Sequence, residues 1–106
     1  MEVTAFMKDH ITENLRAAQI CTACGVSRSV LKELFRRYTG GGPMEYFAYL
    51  RVRQAMQLME RGLSMADVAA AMNFSSQNYY SAFFKRMTGT TPSAYRSGHR
   101  SGGGGR

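Results

Sequence analysis

Residues 35–46 read FRRYTGGGPMEY, and residues 84–95 read FKRMTGTTPSAY. Phe35 and Phe84, Arg37 and Arg86, Thr39 and Thr88, Gly40 and Gly89, Pro43 and Pro92, and Tyr46 and Tyr95 are each 49 positions apart. Repetition on this scale marks one supersecondary unit used twice. The residues leading into the two copies show which unit it is.

Leu31, Leu34, Phe35 and Tyr38 fall at i, i+3, i+4 and i+7, the apolar stripe of a helix, and Tyr80, Phe83, Phe84 and Met87 repeat it 49 positions on. Ahead of each stripe lies a shorter one of the same period. Ala17, Ile20, Cys21 and Cys24 form the first, and Met65, Val68, Ala69 and Met72 the second, at an offset of 48. The change of one residue falls between the stripes, where Asn73-Phe74-Ser75-Ser76 is one longer than Gly25-Val26-Ser27. Ser27 is a good N-cap. Ser64-Met65-Ala66-Asp67 has the pattern of a capping box, with Leu63 and Val68 placed as a hydrophobic staple. The duplicated object is therefore helix, tight turn, helix.

Around the two units the pattern remains helical. The segment VTAFMKDHITENL, from Val3, carries Phe6, Met7, Ile11 and Leu15 at helical spacing, which predicts a helix over its length. Pro43 suits the first turn of a central helix running to Arg61, with Gly62 as its C-cap. Its apolar residues fall on more than one face, as expected between two packed units. At ~1.5 Å per residue this segment spans ~28 Å, comparable to the ~34 Å between successive major grooves on one face of B-DNA. The expected fold is all-α, about seven helices, with one helix-turn-helix subdomain over residues 3–42, a linker helix over 43–61 and a second subdomain over 63–96. The glycine-rich 97–106, without apolar residues, is expected to be a disordered tail.

The chain has 106 residues, 14 Lys and Arg against 7 Asp and Glu, and a net charge of +7. This balance favours a polyanionic partner such as nucleic acid or an acidic membrane surface. No apolar run approaches the ~20 residues of a membrane span, and the N-terminus lacks a basic-then-apolar signal pattern, so a cytoplasmic location is expected. Cys21 and Cys24 form a C-x-x-C, yet a zinc site needs a second pair of ligands and the only histidines are His10 and His99. A redox pair would follow a strand, and no strand pattern precedes it. Both cysteines are expected to be small core residues, with no metal and no cofactor.

Opposite the longer stripes lie polar faces. The first carries Arg28, Ser29, Lys32, Glu33 and Arg36, with Arg37 beside it; the second carries Gln77, Asn78, Ser81, Ala82 and Lys85, with Arg86 beside it. Basic and amide groups of this kind bind guanine and adenine edges in the major groove and the flanking phosphates. Two such faces at a near-constant offset on a basic chain point to double-stranded DNA.

The run L-x-x-x-F-R-R-x-T-G-x-x-P-x-x-Y-x-x-x-L-R-x-x-x-A, followed by S-M-A-D-V-A, N-F-S-S-Q-N-Y-Y and F-F-K-R-M-T-G-T-T-P-S-A-Y-R, resembles the DNA-binding domain of AraC/XylS-type bacterial transcription regulators, over roughly Phe6 to Arg96. The resemblance implies two helix-turn-helix subdomains joined by the central helix, with recognition helices in successive major grooves. It places Ser29, Lys32 and Glu33, then Gln77, Asn78, Ser81 and Ala82, at base-facing positions. Ala82 offers no hydrogen bond, so Gln77, Asn78 and Ser81 are the readers expected there, while Arg28, Arg36, Arg37, Lys85 and Arg86 are expected on phosphates. Asn73 stands where that family usually has glycine, and Asn tolerates left-handed backbone. Cys21 stands where alanine is usual. Members usually carry an effector-binding or dimerising domain, and nothing resembling one occurs in these residues.

An enzyme is not expected. Ser29 and Ser81 have no histidine placed as partner, and neither G-x-x-x-x-G-K nor H-E-x-x-H occurs. A protein-interaction module whose basic faces dock an acidic partner such as RNA polymerase is the alternative to DNA binding. RNA binding would call for exposed stacking aromatics, and the stripes place most aromatics on buried faces.

Overall fold

The computed structural model describes the backbone of residues 2–105 and the side chains of residues 2–98. Seven helices form among the described residues: α1 (Glu2–Asp9), α2 (Ala17–Cys24), α3 (Arg28–Thr39), α4 (Pro43–Glu60), α5 (Met65–Ala71), α6 (Gln77–Thr88) and α7 (Pro92–Gly105). They divide into two compact units, Met1–Arg51 and Val52–Arg106, with the division inside α4.

In the first unit the α3 stripe buries Leu31 and Phe35 against Ile20 of α2, Val3 and Met7 of α1, and Phe47 of α4. Fully burying side chains of this size contributes about 1.5–3 kcal/mol each. Cys21 and Cys24 are half-buried free thiols against this core.

The first helix is shorter than its stripe predicts. It ends at Asp9, where the His10 N–H is shared between the carbonyls of Phe6 (3.1 Å) and Met7 (3.2 Å). In a continuous helix the Ile11 carbonyl would accept from Leu15. Here it accepts from Arg51 Nε at 3.1 Å, and Asn14 Oδ1 accepts from Arg51 Nη1 at 3.0 Å. Arg51 is only 6% exposed, and a buried guanidinium needs such acceptors. A tertiary hydrogen bond thus overrides local periodicity, while Leu15 still reaches the core.

Tyr38 is a second departure. It was expected on the α3 stripe and is 70% exposed. Packing on that stripe closes at Phe35, whose ring meets Tyr46 of α4 at 5.5 Å. One turn further on, Tyr38 lies off the core and faces solvent.

The second unit buries Val68, Ala69 and Met72 on α5 and its C-cap, and Tyr80, Phe83 and Phe84 on α6. Phe74, in the turn between them, packs on Tyr80 at 5.4 Å and on Phe83 at 5.2 Å. Tyr80 is fully buried, and its hydroxyl donates to Met59 Sδ at 3.1 Å. Burial pushes its pKa up to about 12 against a minor opposing influence from Arg96. Arg96 of α7 donates to the carbonyls of Met59, near the end of α4, and Leu63, just beyond it.

The helical backbone of α7 continues to Gly105.

Candidate nucleic-acid interface

Each unit holds its longer polar-faced helix at both ends by the same devices. At the N-terminal end, Ser27 Oγ accepts the Val30 N–H at 3.1 Å, and Ser76 Oγ accepts the Tyr79 N–H at 3.0 Å. The corner before each cap needs a left-handed residue, supplied by Gly25 at φ 68° and Asn73 at φ 61°. From these corners, Val26 N–H reaches back to the Cys21 carbonyl at 3.1 Å and Phe74 N–H to the Ala69 carbonyl at 2.9 Å. These bonds satisfy carbonyls orphaned at the end of the preceding helix.

The repeated T-G-x-x-P stretch builds the other end. Thr39 Oγ1 donates to the Phe35 carbonyl at 2.7 Å and accepts the Gly41 N–H at 3.1 Å. Thr88 Oγ1 donates to the Phe84 carbonyl at 2.9 Å and accepts the Thr90 N–H at 3.2 Å. Gly40 and Gly89 close the helices through bonds to Arg36 and Lys85, and Pro43 and Pro92 open the next ones. Phe35 packs on Tyr46 and Phe84 on Tyr95, both with ring centroids 5.5 Å apart. The repeat is therefore the joint that fixes each polar-faced helix to the helix after it.

On α3, Ser29, Lys32, Glu33 and Arg36 stand at i, i+3, i+4 and i+7, one exposed stripe flanked by exposed Arg28 and Arg37. Ser29, Lys32, Glu33 and Arg36 also line an open depression completed by Gly40, Gly41, Gly42 and Pro43. On α6, Gln77, Asn78, Ala82, Lys85 and Arg86 are exposed, whereas Ser81 is half-buried. All expected site residues thus lie on α3 and α6. Ser81 is the one of them that is not fully exposed.

The charges on the two helices are arranged differently. Glu33 Oε1 pairs with Arg36 Nη2 at 2.6 Å, and Glu33 Oε2 with Arg37 Nη2 at 3.6 Å. Ala82 occupies the Glu33 position on α6, and there the Arg86 guanidinium lies over the Phe83 ring at 5.4 Å. Such a cation–π contact leaves the edge of the guanidinium open to an anion.

Stripe counting missed three exposed tyrosines, Tyr38, Tyr49 and Tyr79, at 70%, 44% and 52%. Tyr79 follows Asn78 in the first turn of α6 and touches Phe74 at 6.0 Å. Its counterpart Val30 is 47% exposed. Position supplied a signal for both, since each follows a residue expected to face bases and lies off the buried stripe.

Among the described residues no group of three or more His, Cys, Asp or Glu is placed to hold a metal ion. The Cys24 thiol is pushed above its ordinary pKa by burial and by the nearby Glu2 and Cys21, the opposite of the shift that activates a thiol for metal or redox chemistry. No helix among the described residues is long and apolar enough to cross a membrane.

The helix-turn-helix domain family matches residues 20–98, from within α2 through α6. The chain belongs to the AraC-type helix-turn-helix family. This AraC-type unit is 31% identical to the DNA-binding domain of the global transcriptional factor AdpA, solved in complex with a target DNA; the superposition covers 94% of this chain and 91% of that one, with a TM-score of 0.81. An AraC-type transcriptional regulator from Chromobacterium violaceum is 32% identical over 92% of this chain and 88% of its own, also with a TM-score of 0.81. Among curated proteins, the MmsAB operon regulatory protein of Pseudomonas aeruginosa is 30% identical over 95% of this chain, which spans 33% of that relative. The AraC-type family is one of DNA-binding transcription regulators and not of enzymes.

Proposed function

We propose that this AraC-type unit recognises an asymmetric site on double-stranded DNA, with α3 and α6 entering two successive major grooves. One observation carries the reading: two helices share identical caps and joints yet carry different side chains at equivalent exposed positions. Repeating the mounting while changing the face is what two reading heads for different sequences require. Ser29 and Lys32 on α3, and Gln77, Asn78 and Ser81 on α6, are the proposed base readers, amides suiting adenine and lysine suiting guanine; Glu33, expected beside them, pairs with Arg36 and Arg37. Arg28, Arg36, Arg37, Lys85 and Arg86 are the proposed phosphate contacts, and the Pseudomonas and AdpA likenesses support regulation of transcription as the setting.

Selecting bound sequences from random duplex DNA and then measuring affinity against salt tests this. Two different boxes should emerge, and each phosphate contact should add about 0.9 to the slope of log affinity against log salt. Salt-indifferent binding would contradict the proposal. Nuclease-insensitive capture of RNA polymerase, without duplex binding, would favour a protein-docking role for the same faces.

A further inference from the structure

The Glu33 carboxylate stands on the exposed stripe of a helix proposed to meet a polyanion, where an acidic group repels phosphate. Its oxygens face neighbouring cations on the same helix, Oε1 2.6 Å from Arg36 and Oε2 3.6 Å from Arg37. The spacings are i+3 and i+4, the two at which helical side chains meet. All three side chains are substantially exposed, at 47% for Glu33, 71% for Arg36 and 68% for Arg37. The pairs are therefore weak and exchangeable. The second unit lacks the device, because Ala82 replaces Glu33 ahead of Lys85 and Arg86.

Resting on the reading that α3 faces DNA, we propose that Glu33 is a positioning residue, a latch that holds Arg36 and Arg37 in the free protein and that phosphate must displace. A carboxylate accepting two guanidinium groups has less capacity left to accept a cytosine amino group. The latch lowers the sequence-independent attraction of the first head for any duplex. The second head has Lys85 and Arg86 without such a competitor on their helix. The two heads consequently differ in salt response as well as in sequence.

The test measures anisotropy of a labelled random-sequence duplex and of the selected site across a sodium chloride series. It uses the 106-residue chain, Glu33→Gln, Arg36→Gln with Arg37→Gln, and the triple variant. Unchanged circular dichroism and thermal midpoints confirm folding, which exposed positions should not disturb. The latch predicts that Glu33→Gln tightens binding to both duplexes by roughly 1.5-fold to fivefold, with no relaxed discrimination at any base pair. It also predicts that most of this gain disappears when Arg36 and Arg37 are already glutamine, leaving only what removal of the carboxylate's own repulsion gives.

A gain of undiminished size in the background of Arg36→Gln with Arg37→Gln would overturn the latch, because it would come wholly from removing a negative charge at a distance. Loss of affinity confined to one base pair of the selected site would overturn it in favour of base reading by Glu33. If Arg36→Gln with Arg37→Gln alone leaves affinity and salt slope unchanged, the reading of α3 as a DNA-facing helix fails, and the latch fails with it. That outcome is distinguishable from the other two because it needs no change at Glu33.

Discussion

Asn73 adopts φ 61° at the corner where Gly25, 48 positions earlier, adopts φ 68°. Two chemically different residues thus make the same left-handed turn ahead of Ser76 and Ser27. The cost of left-handed backbone for a residue with a Cβ is about 1–2 kcal/mol, and Asn is among the few that accept it routinely. A Cβ at Gly25 would meet no atom within 4 Å, so the conformation alone sets the penalty. Gly25→Ala should lower the unfolding free energy by about 1–2 kcal/mol and Gly25→Asn by less, measured by urea denaturation. Equal losses would show that crowding, not backbone geometry, restricts this corner.

Alkaline pH should weaken the second unit through Tyr80. Its folded pKa, about 12, lies above the ordinary 10, so the unfolded chain releases its proton first as pH rises. The stabilising contribution is complete below pH 10 and is lost as pH climbs toward the folded value. A tenfold difference in proton affinity between the folded and unfolded chain is worth about 1.4 kcal/mol, which bounds the loss at roughly 3 kcal/mol. Tyr80→Phe should flatten the decline between pH 10 and 12 in denaturant titrations; Tyr95, raised by burial and by Glu60, leaves a smaller residual slope of the same sign.

Cys24 should alkylate slowly. With its thiol pKa raised by burial and by nearby Glu2 and Cys21, iodoacetamide at pH 8 should modify it more slowly than a small free thiol, the difference vanishing in urea. Replacing both cysteines with alanine should leave DNA binding intact at a stability cost on the order of 1 kcal/mol. Stoichiometric zinc in the purified protein would contradict the packing role.

Asn78 offers the clearest base-reading test, being an exposed amide at the start of α6. Asn78→Ala should weaken binding to the selected site by about 1–3 kcal/mol and relax discrimination at one base pair. Uniform loss on every duplex would make Asn78 a backbone contact.

Period, caps and repeats made the helix-turn-helix pairs legible in the sequence, because each depends on residues within a few positions of one another. Ser27, Ser64 and Ser76 accept helix N–H groups in the structure, a local chemistry that spacing reveals. What escaped notice depends on distant partners. Arg51 takes the Ile11 carbonyl from 40 positions away and ends α1 early, which no window along α1 could disclose. Tyr38 keeps helical spacing yet lies beyond the reach of the core. The site residues were legible as positions, whereas the Glu33 pairs with Arg36 and Arg37 required the side-chain geometry.

The central claim is that one chain carries two reading heads for two successive grooves, and a spacing series tests it most directly. Gel shifts at fixed salt would compare the selected site with versions carrying about five and about ten base pairs inserted between its boxes, a half turn and a full turn of B-DNA. Insertion of a half turn places one box on the opposite face of the duplex, out of reach of the second head if both heads bind one face. Affinity should fall by nearly the whole contribution of one head. Affinity that stays flat across both insertions would mean that the heads act independently or that only one touches DNA, and would contradict the account.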